Sequence, residues 1–187
     1  MKINIIVAFS KNLGIGINNN LPWKLSSDLK KFRALTIGEG NNAVIMGKNT
    51  WLSLPVKYLK ERDNLILSKT IKIDITHSEK KNLSDNNYIV KTFEDINLML
   101  QHCKSKKYDI VWIIGGENIY REFMSNTDIN IDEIHVTYID KEYTCDTFFP
   151  SIDFDKYSSV IQKEHLNSDE TIDFKIFDRI YKKTYLS

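Results

Sequence analysis

The chain has almost no excess charge, few cysteines and no long apolar run, and each shortage excludes a class of protein. Its 26 Lys and Arg against 25 Asp and Glu leave a formal net charge of +1. No long-range field therefore draws in nucleic acid or an anionic membrane, and an anionic ligand must be held by a few placed cations. Cys103 and Cys145 are too few for a disulfide framework and lack metal-ligand spacing. The four histidines, His77, His102, His135 and His165, include no pair at i, i+4, so each reads as a structural or exposed residue and no metal is expected. The apolar run from Ile3 to Phe9 is too short for a secretory core and has no small-residue cleavage site. Nothing approaches the ~20 apolar residues that a membrane span needs. Together these absences predict a cytoplasmic protein with reduced thiols.

What is present fits a globular protein. Hydrophobic residues make up 42% of the 187 and charged residues 27%, ordinary values for a folded protein. The length suits one domain, residues 1–187, with a core that needs no staples. There are no internal repeats and no dividing linker.

The periodicity alternates between strand and helix. Ile3 to Phe9 is a continuous β-branched run, as in a strand covered on both faces. A loop rich in Gly and Asn follows, from Ser10 to Lys24. Ser26 or Ser27 is expected to cap a helix ending near Thr36, with Gly38 and Gly40 closing it. Asn42 to Met46 reads as a strand, Lys48 to Leu54 as a short helix, and Asn64 to Leu67 as a third strand. Residues 70–87 are polar and read as surface connection with at most one edge strand, before a short strand at Tyr88–Val90. Thr92 is the expected N-cap of a helix from Phe93 to Cys103. Asp109 to Ile114 is strongly apolar, Gly115-Gly116 opens a helix to about Met124, and Glu133 to Ile139 is a strand. Two long strands near 156–165 and 173–183 face each other across the polar turn Asn167 to Glu170. The pattern predicts an α/β fold: a mostly parallel sheet of about eight strands, an antiparallel C-terminal hairpin, and helices on both faces.

Open α/β sheets bind ligands at the carboxyl ends of their strands, and three segments fall there. They are Gly14 to Trp23, Gly47-Lys48-Asn49-Thr50 and Gly115-Gly116. The second is not an NTPase phosphate loop, because Asn49 stands where Ser or Thr is required and Asn42 where Gly is required. The third lacks the full G-x-G-x-x-G. Both still offer backbone N–H groups and a helix start to phosphate, and plain turn glycines explain them equally well. On the first helix Asp28 and Phe32 share a face with Leu29 and Leu35. A carboxylate in that stripe needs a partner; an acid in the first turn, favoured by the helix dipole, is the simpler alternative.

Taken together the segments resemble the dihydrofolate reductase family, in order, along nearly the whole chain. The matching stretches are Ile5 to Ala8, Gly14-Ile15-Gly16, Leu21-Pro22-Trp23, the helix carrying Asp28, and Val44 to Trp51. They continue with Leu65 to Ser68, Trp112 to Glu117 with Tyr120, and Cys145 to Pro150. The resemblance implies NADPH-dependent reduction of dihydrofolate to tetrahydrofolate for one-carbon metabolism, with hydride transfer to C6 and protonation at N5. It implies an enzyme open to antifolate inhibitors and a monomer, unless it is fused to or associated with thymidylate synthase.

The implied site is as follows. Asp28 would hold the 2-amino group and N3 of the pterin, oriented by Thr137. A water near Leu21 and Trp23 would protonate N5. Ile6, Val7, Ala8, Leu29, Phe32, Leu54, Leu59, Ile114 and Tyr120 would line the substrate pocket, and Arg62 would fork onto the glutamate carboxylate. Gly47, Lys48, Asn49, Thr50, Leu67, Ser68 and Lys69 would hold the adenosine half of NADPH, with Lys48 and Lys69 on its 2′-phosphate. Ile114, Gly115, Gly116, Glu117, Asn118, Ile119 and Tyr120 would cover pyrophosphate and nicotinamide, with a cis peptide between the two glycines. Ala8, Ile15, Gly16, Asn19 and Thr147 would complete the cofactor contacts, Asn19 to Leu21 lying on a mobile loop. An apolar cleft would raise the pKa of its carboxylate.

The match thins at Pro55 to Arg62, which is shorter than the family's usual stretch and has Glu61 in place of a common glycine. Glu61 sets negative charge near the presumed tail site, and Arg33 is placed to offset it. A same-fold reductase of riboflavin synthesis would not require Trp23, Asp28 and Phe32 together. A catalytically silent folate- or nucleotide-binding module is disfavoured by the complete set of acid, threonine and glycines.

Overall fold

The computed structural model describes residues 1–81, 84–164 and 174–184. In chain order the elements are β1 (Lys2–Ser10), β2 (Gly14–Gly16), α1 (Ser26–Ile37), β3 (Asn42–Gly47), α2 (Lys48–Ser53), β4 (Asp63–Leu67), β5 (Asp74–Lys81) and β6 (Ser84–Phe93). They continue with α3 (Ile96–Lys106), β7 (Ile110–Gly115), α4 (Glu117–Ser125), β8 (Glu133–Ile139), β9 (Thr147–Phe148), β10 (Tyr157–Glu164) and β11 (Ile176–Lys183). Nine strands form one sheet in the order β10-β11-β8-β1-β7-β3-β4-β6-β5, and β2 pairs with β9 in a separate ribbon.

Successive strand side chains point to opposite faces, and the apolar runs supply both. Ile5, Ala43, Ile45, Leu65 and Ile113 face a cluster with Ile96, Met99 and Cys103 of α3 and Ile119, Tyr120 and Phe123 of α4. Ile6, Val44, Met46, Ile66 and Trp112 face Phe32 and Leu35 of α1 and Trp51 of α2. Burial on both faces is why these strands lack polar alternation. The pairs from β8 through β6 are parallel, whereas β8–β11, β10–β11 and β5–β6 are antiparallel.

The main sheet has nine strands where about eight were expected; the polar residues 74–81, within the stretch read as surface connection with at most one edge strand, form edge strand β5. An edge strand open to solvent needs no apolar periodicity, so its bounds come only from its pairing with β6. Thr92 does not cap α3. It lies in β6, where its hydroxyl accepts from Ile73 N at 2.9 Å, and Asp95 is the cap, accepting from Asn97 N at 2.7 Å and Leu98 N at 3.2 Å. Neither Ser26 nor Ser27 caps α1; the N-cap is Leu25, without a side-chain cap. At the other end Gly38 has φ 56°, a conformation that glycine adopts without strain. The expected turn at Asn167 to Glu170 lies outside the described residues. Among the described residues no helix is long and apolar enough to cross a membrane.

Candidate active site

The Gly-bearing loops after β1, β3 and β7 meet at the carboxyl edge of the sheet. α1 is pinned there at its start, where Trp23 and Leu25 pack with Ile139 and Ile176. That anchor turns the first-turn residue Asp28 toward a cleft of about 320 Å³, with Leu29 and Phe32 on the same helical face. Ile6, Val7 and Ala8 of β1, Ile114 of β7, Leu54 after α2 and Tyr120 of α4 complete its walls. The loop residues Ile15, Gly16, Asn19 and Leu21, with Asn49, Thr50, Gly116 and Thr147, close it.

The carboxylate is held from the sheet. Thr137 of β8 pairs in register with Ala8 of β1, and its hydroxyl donates to Asp28 Oδ1 at 2.6 Å. Thr137 is itself buried, so it supports the cleft rather than lining it. Trp23 also stands behind the lining; its indole N–H is buried and has no hydrogen-bond partner among the described residues. The Tyr120 hydroxyl donates to Ile6 O at 2.9 Å. Burial, with Asp28 nearby, pushes that phenol well above its ordinary pKa.

A second cleft, of about 450 Å³, runs over the starts of α2 and α4. It is lined by Gly47, Lys48, Asn49, Leu67, Ser68, Lys69, Gly116, Asn118 and Ile119. Gly116 and Asn49 line both clefts, so the two adjoin there. Gly115 has φ 109°, and the Gly115–Gly116 peptide is cis, as the resemblance implied. At Gly47 a Cβ would stand 3.0 Å from Ile119 Cγ1, so glycine is what lets the end of β3 come up against α4. The Gly116 N-cap makes no side-chain hydrogen bond, leaving the first N–H groups of α4 for an anion. Lys48 Nζ donates to Thr70 Oγ1 at 3.0 Å. These are the features a phosphate-bearing dinucleotide requires: a glycine cradle, an uncapped helix start and two lysines.

Besides Trp23 and Thr137, four expected residues lie outside both linings. Gly115 stands behind the cleft against the Tyr120 ring. Glu117 turns away: it accepts from Phe148 N at 2.9 Å and from Arg121 at 2.8 Å, tying β9 to α4. The Phe148 bond and then Arg121 hold its carboxyl below the usual range. Leu59 packs into the same cluster as Phe32 and Leu54, and Asn64 bonds to its backbone at 2.7 and 2.8 Å. Arg62 is 6% exposed, with its guanidinium 5.8 Å from the Phe32 ring centre and 3.4 Å from Arg33 O. Burial, reinforced by Arg33 and opposed by Glu61, pushes its pKa down to about 10. Arg33 itself is ion-paired with Glu61.

The sequence reading placed Asn20 on the closing loop but named no contact for it, and it did not include Ser53 in the first cleft, or Glu94, Asp95, Ile96 and Glu122 in the second. Glu122 lies one turn beyond Asn118, so helical spacing could have found it. It also did not include Lys31, which donates to Thr137 Oγ1 at 2.6 Å.

The comparisons agree on one family. A family model described as dihydrofolate reductase matches residues 2–183. A dihydrofolate reductase of Heliothis virescens is 33% identical, with 98% of each chain covered. One from Sus scrofa is 38% identical over 89% of each chain. A solved dihydrofolate reductase from Enterococcus faecalis, complexed with NADP(H) and RAB-propyl, superposes with a TM-score of 0.76 at 23% identity, covering 98% of this chain and 97% of that one. At that identity the likeness is one of fold.

Proposed function

The chain belongs to the dihydrofolate reductase family, and from that premise we propose that its two adjoining clefts take dihydrofolate at Asp28 and NADPH along the glycine cradle, yielding tetrahydrofolate. The single observation that carries this reading is the Asp28–Thr137 pair. The acid faces an apolar cleft and is held by a neutral hydroxyl at 2.6 Å, so its charge is left to select a cationic or N–H-rich ring. A pterin offers its 2-amino group and N3–H side by side, a match for the two oxygens of one carboxylate.

The roles follow from position. Phe32, Leu29 and Leu54 pack the flat ring and the benzoyl group beyond it, with Leu59 behind them and Arg62 on the tail side. Ile6, Val7, Ala8 and Ile114 form the floor, and Tyr120 fixes the Ile6 carbonyl. When bound, NADPH supplies the hydride that C6 accepts. Leu21 shields the approach to N5, and the N–H of Trp23 orders the water that delivers the proton. Asp28 anchors the ring on its far side and keeps the reacting tautomer. Lys48 and Lys69 hold the 2′-phosphate, while the start of α4 and Ser68 hold the remaining phosphate and ribose oxygens. Closure of the loop at Asn19 to Leu21 excludes bulk water from the reacting face.

The test is oxidation of NADPH by the purified chain with dihydrofolate, with and without methotrexate. Methotrexate-sensitive oxidation is the expected outcome. NADPH binding without reduction of dihydrofolate would overturn the substrate assignment and leave only the fold.

A further inference from the structure

Lys31 follows Asp28 by three residues, so both side chains leave α1 on the same side. Its ammonium donates to Thr137 Oγ1 at 2.6 Å and forms an ion pair with Asp178 Oδ1. Thr137 and Asp178 are register partners across β8 and β11. They therefore stand at one level on one face of the sheet, and a single ammonium reaches both. Thr137 Oγ1 in turn donates to Asp28 Oδ1 at 2.6 Å. The result is a chain from Asp178 through Lys31 and Thr137 to Asp28.

A threonine hydroxyl has one proton and two lone pairs, and an ammonium can only donate. With Lys31 donating to the oxygen, that contact uses a lone pair and leaves the single proton for Asp28. The adjacent charge also polarises the O–H and strengthens its bond to the carboxylate. Solvent screens the arrangement weakly, since the side chains of Lys31 and Asp178 are only 22% and 15% exposed and Thr137 is buried.

We propose that Lys31 is a positioning residue for pterin recognition: held in place by Asp178, it commits the Thr137 proton to Asp28 and so fixes the carboxylate that receives the ring. This rests on the reading of Asp28 as the pterin acid. Lys31 lines neither cleft and acts through Thr137, which gives the inference its distinguishing test.

The experiment compares Lys31→Met, Lys31→Arg, Thr137→Val and the Lys31→Met/Thr137→Val double variant. Lys31→Met is expected to raise the KM for dihydrofolate and the Kd for methotrexate about tenfold. It should leave kcat and the KM for NADPH within about twofold, and Lys31→Arg should restore most of the loss. Once Thr137 is valine, Lys31→Met should have no further effect, because its route to Asp28 is gone. Independent, additive losses would show that the lysine only stabilises the fold and would overturn the proposal, as would a dihydrofolate KM unchanged in Lys31→Met. If Lys31→Met does not fold, Asp178→Asn carries the test. It should shift the dihydrofolate KM in the same direction, and an unchanged KM would overturn the proposal. A wild-type chain that fails to reduce dihydrofolate overturns the reading of the reaction itself. An active wild type with an unaffected lysine variant overturns this inference alone.

Discussion

The buried Tyr120 hydroxyl donates to the Ile6 carbonyl at 2.9 Å, joining α4 to the middle of β1 at the floor of the cleft. Burial raises the phenol's pKa far above its ordinary value, so it stays a proton donor at every working pH. Tyr120→Phe strands a buried carbonyl, and the expected loss is about 1–3 kcal/mol of unfolding free energy. Denaturant titration checks it, and an unchanged midpoint would show the bond to be dispensable.

Lys48 and Lys69 line the second cleft and carry the predicted preference for NADPH over NADH. Replacing both with Ala should raise the NADPH KM by about tenfold or more and the NADH KM far less. Added salt should shrink the difference. Equal effects on the two coenzymes would show that these lysines do not read the 2′-phosphate.

Arg33 is tied to Glu61 beside the expected tail site, with Arg62 behind it. Glu61→Gln releases Arg33 and removes a negative charge from the approach of a carboxylate. The KM for dihydrofolate should fall about threefold at low ionic strength, a modest effect because Arg33 is exposed to solvent. A dihydropterin without the glutamate tail should respond little; an equal response from both substrates would remove the tail from the explanation.

His135 is buried beside Trp112, and desolvation lowers its pKa below the ordinary 6.5 despite the opposing hydrogen bond that its ring donates to Glu133. The unfolded chain therefore takes up the proton first on acidification, and stability falls as pH drops through about 6.5. Burial pushes the Glu133 carboxyl up, but hydrogen bonds from Lys182 and His135 outweigh it and leave the pKa below 4.5. Its contribution is lost only at lower pH; burial also lowers the pKa of His102, which charges in the same interval, so a variant at His135 is what isolates this residue. Thermal melts of the wild type and His135→Asn across this interval should converge as pH falls; parallel curves would contradict the assignment.

The central strands were legible in the sequence because burial on both faces writes an unbroken apolar run, as at Ile3 to Phe9 and Ile110 to Ile114. The edge strand β5 carries no such imprint. The cap of α3 was misplaced because Thr92 and Asp95 both offer a capping oxygen. The choice is made by β6, which runs on to Phe93 to pair with Leu67 of β4. In the site, Asp28 and Phe32 show themselves by helical spacing. The partners of Lys31 do not: Asp178 lies 147 residues away and meets it only through the register of β8 with β11. Glu117 follows the same logic, since its turn toward Phe148 depends on a loop that folds back from beyond β8.

The most direct measurement is the steady-state rate of Asp28→Asn at neutral pH with saturating NADPH and dihydrofolate. The substitution keeps the shape and the Thr137 contact while removing the charge that anchors the ring. Turnover is predicted to fall by roughly 10²-fold or more, with the KM for NADPH unchanged. A near-wild-type rate would contradict the account, because the pterin would then be held and reduced without the carboxylate on which every other role has been placed.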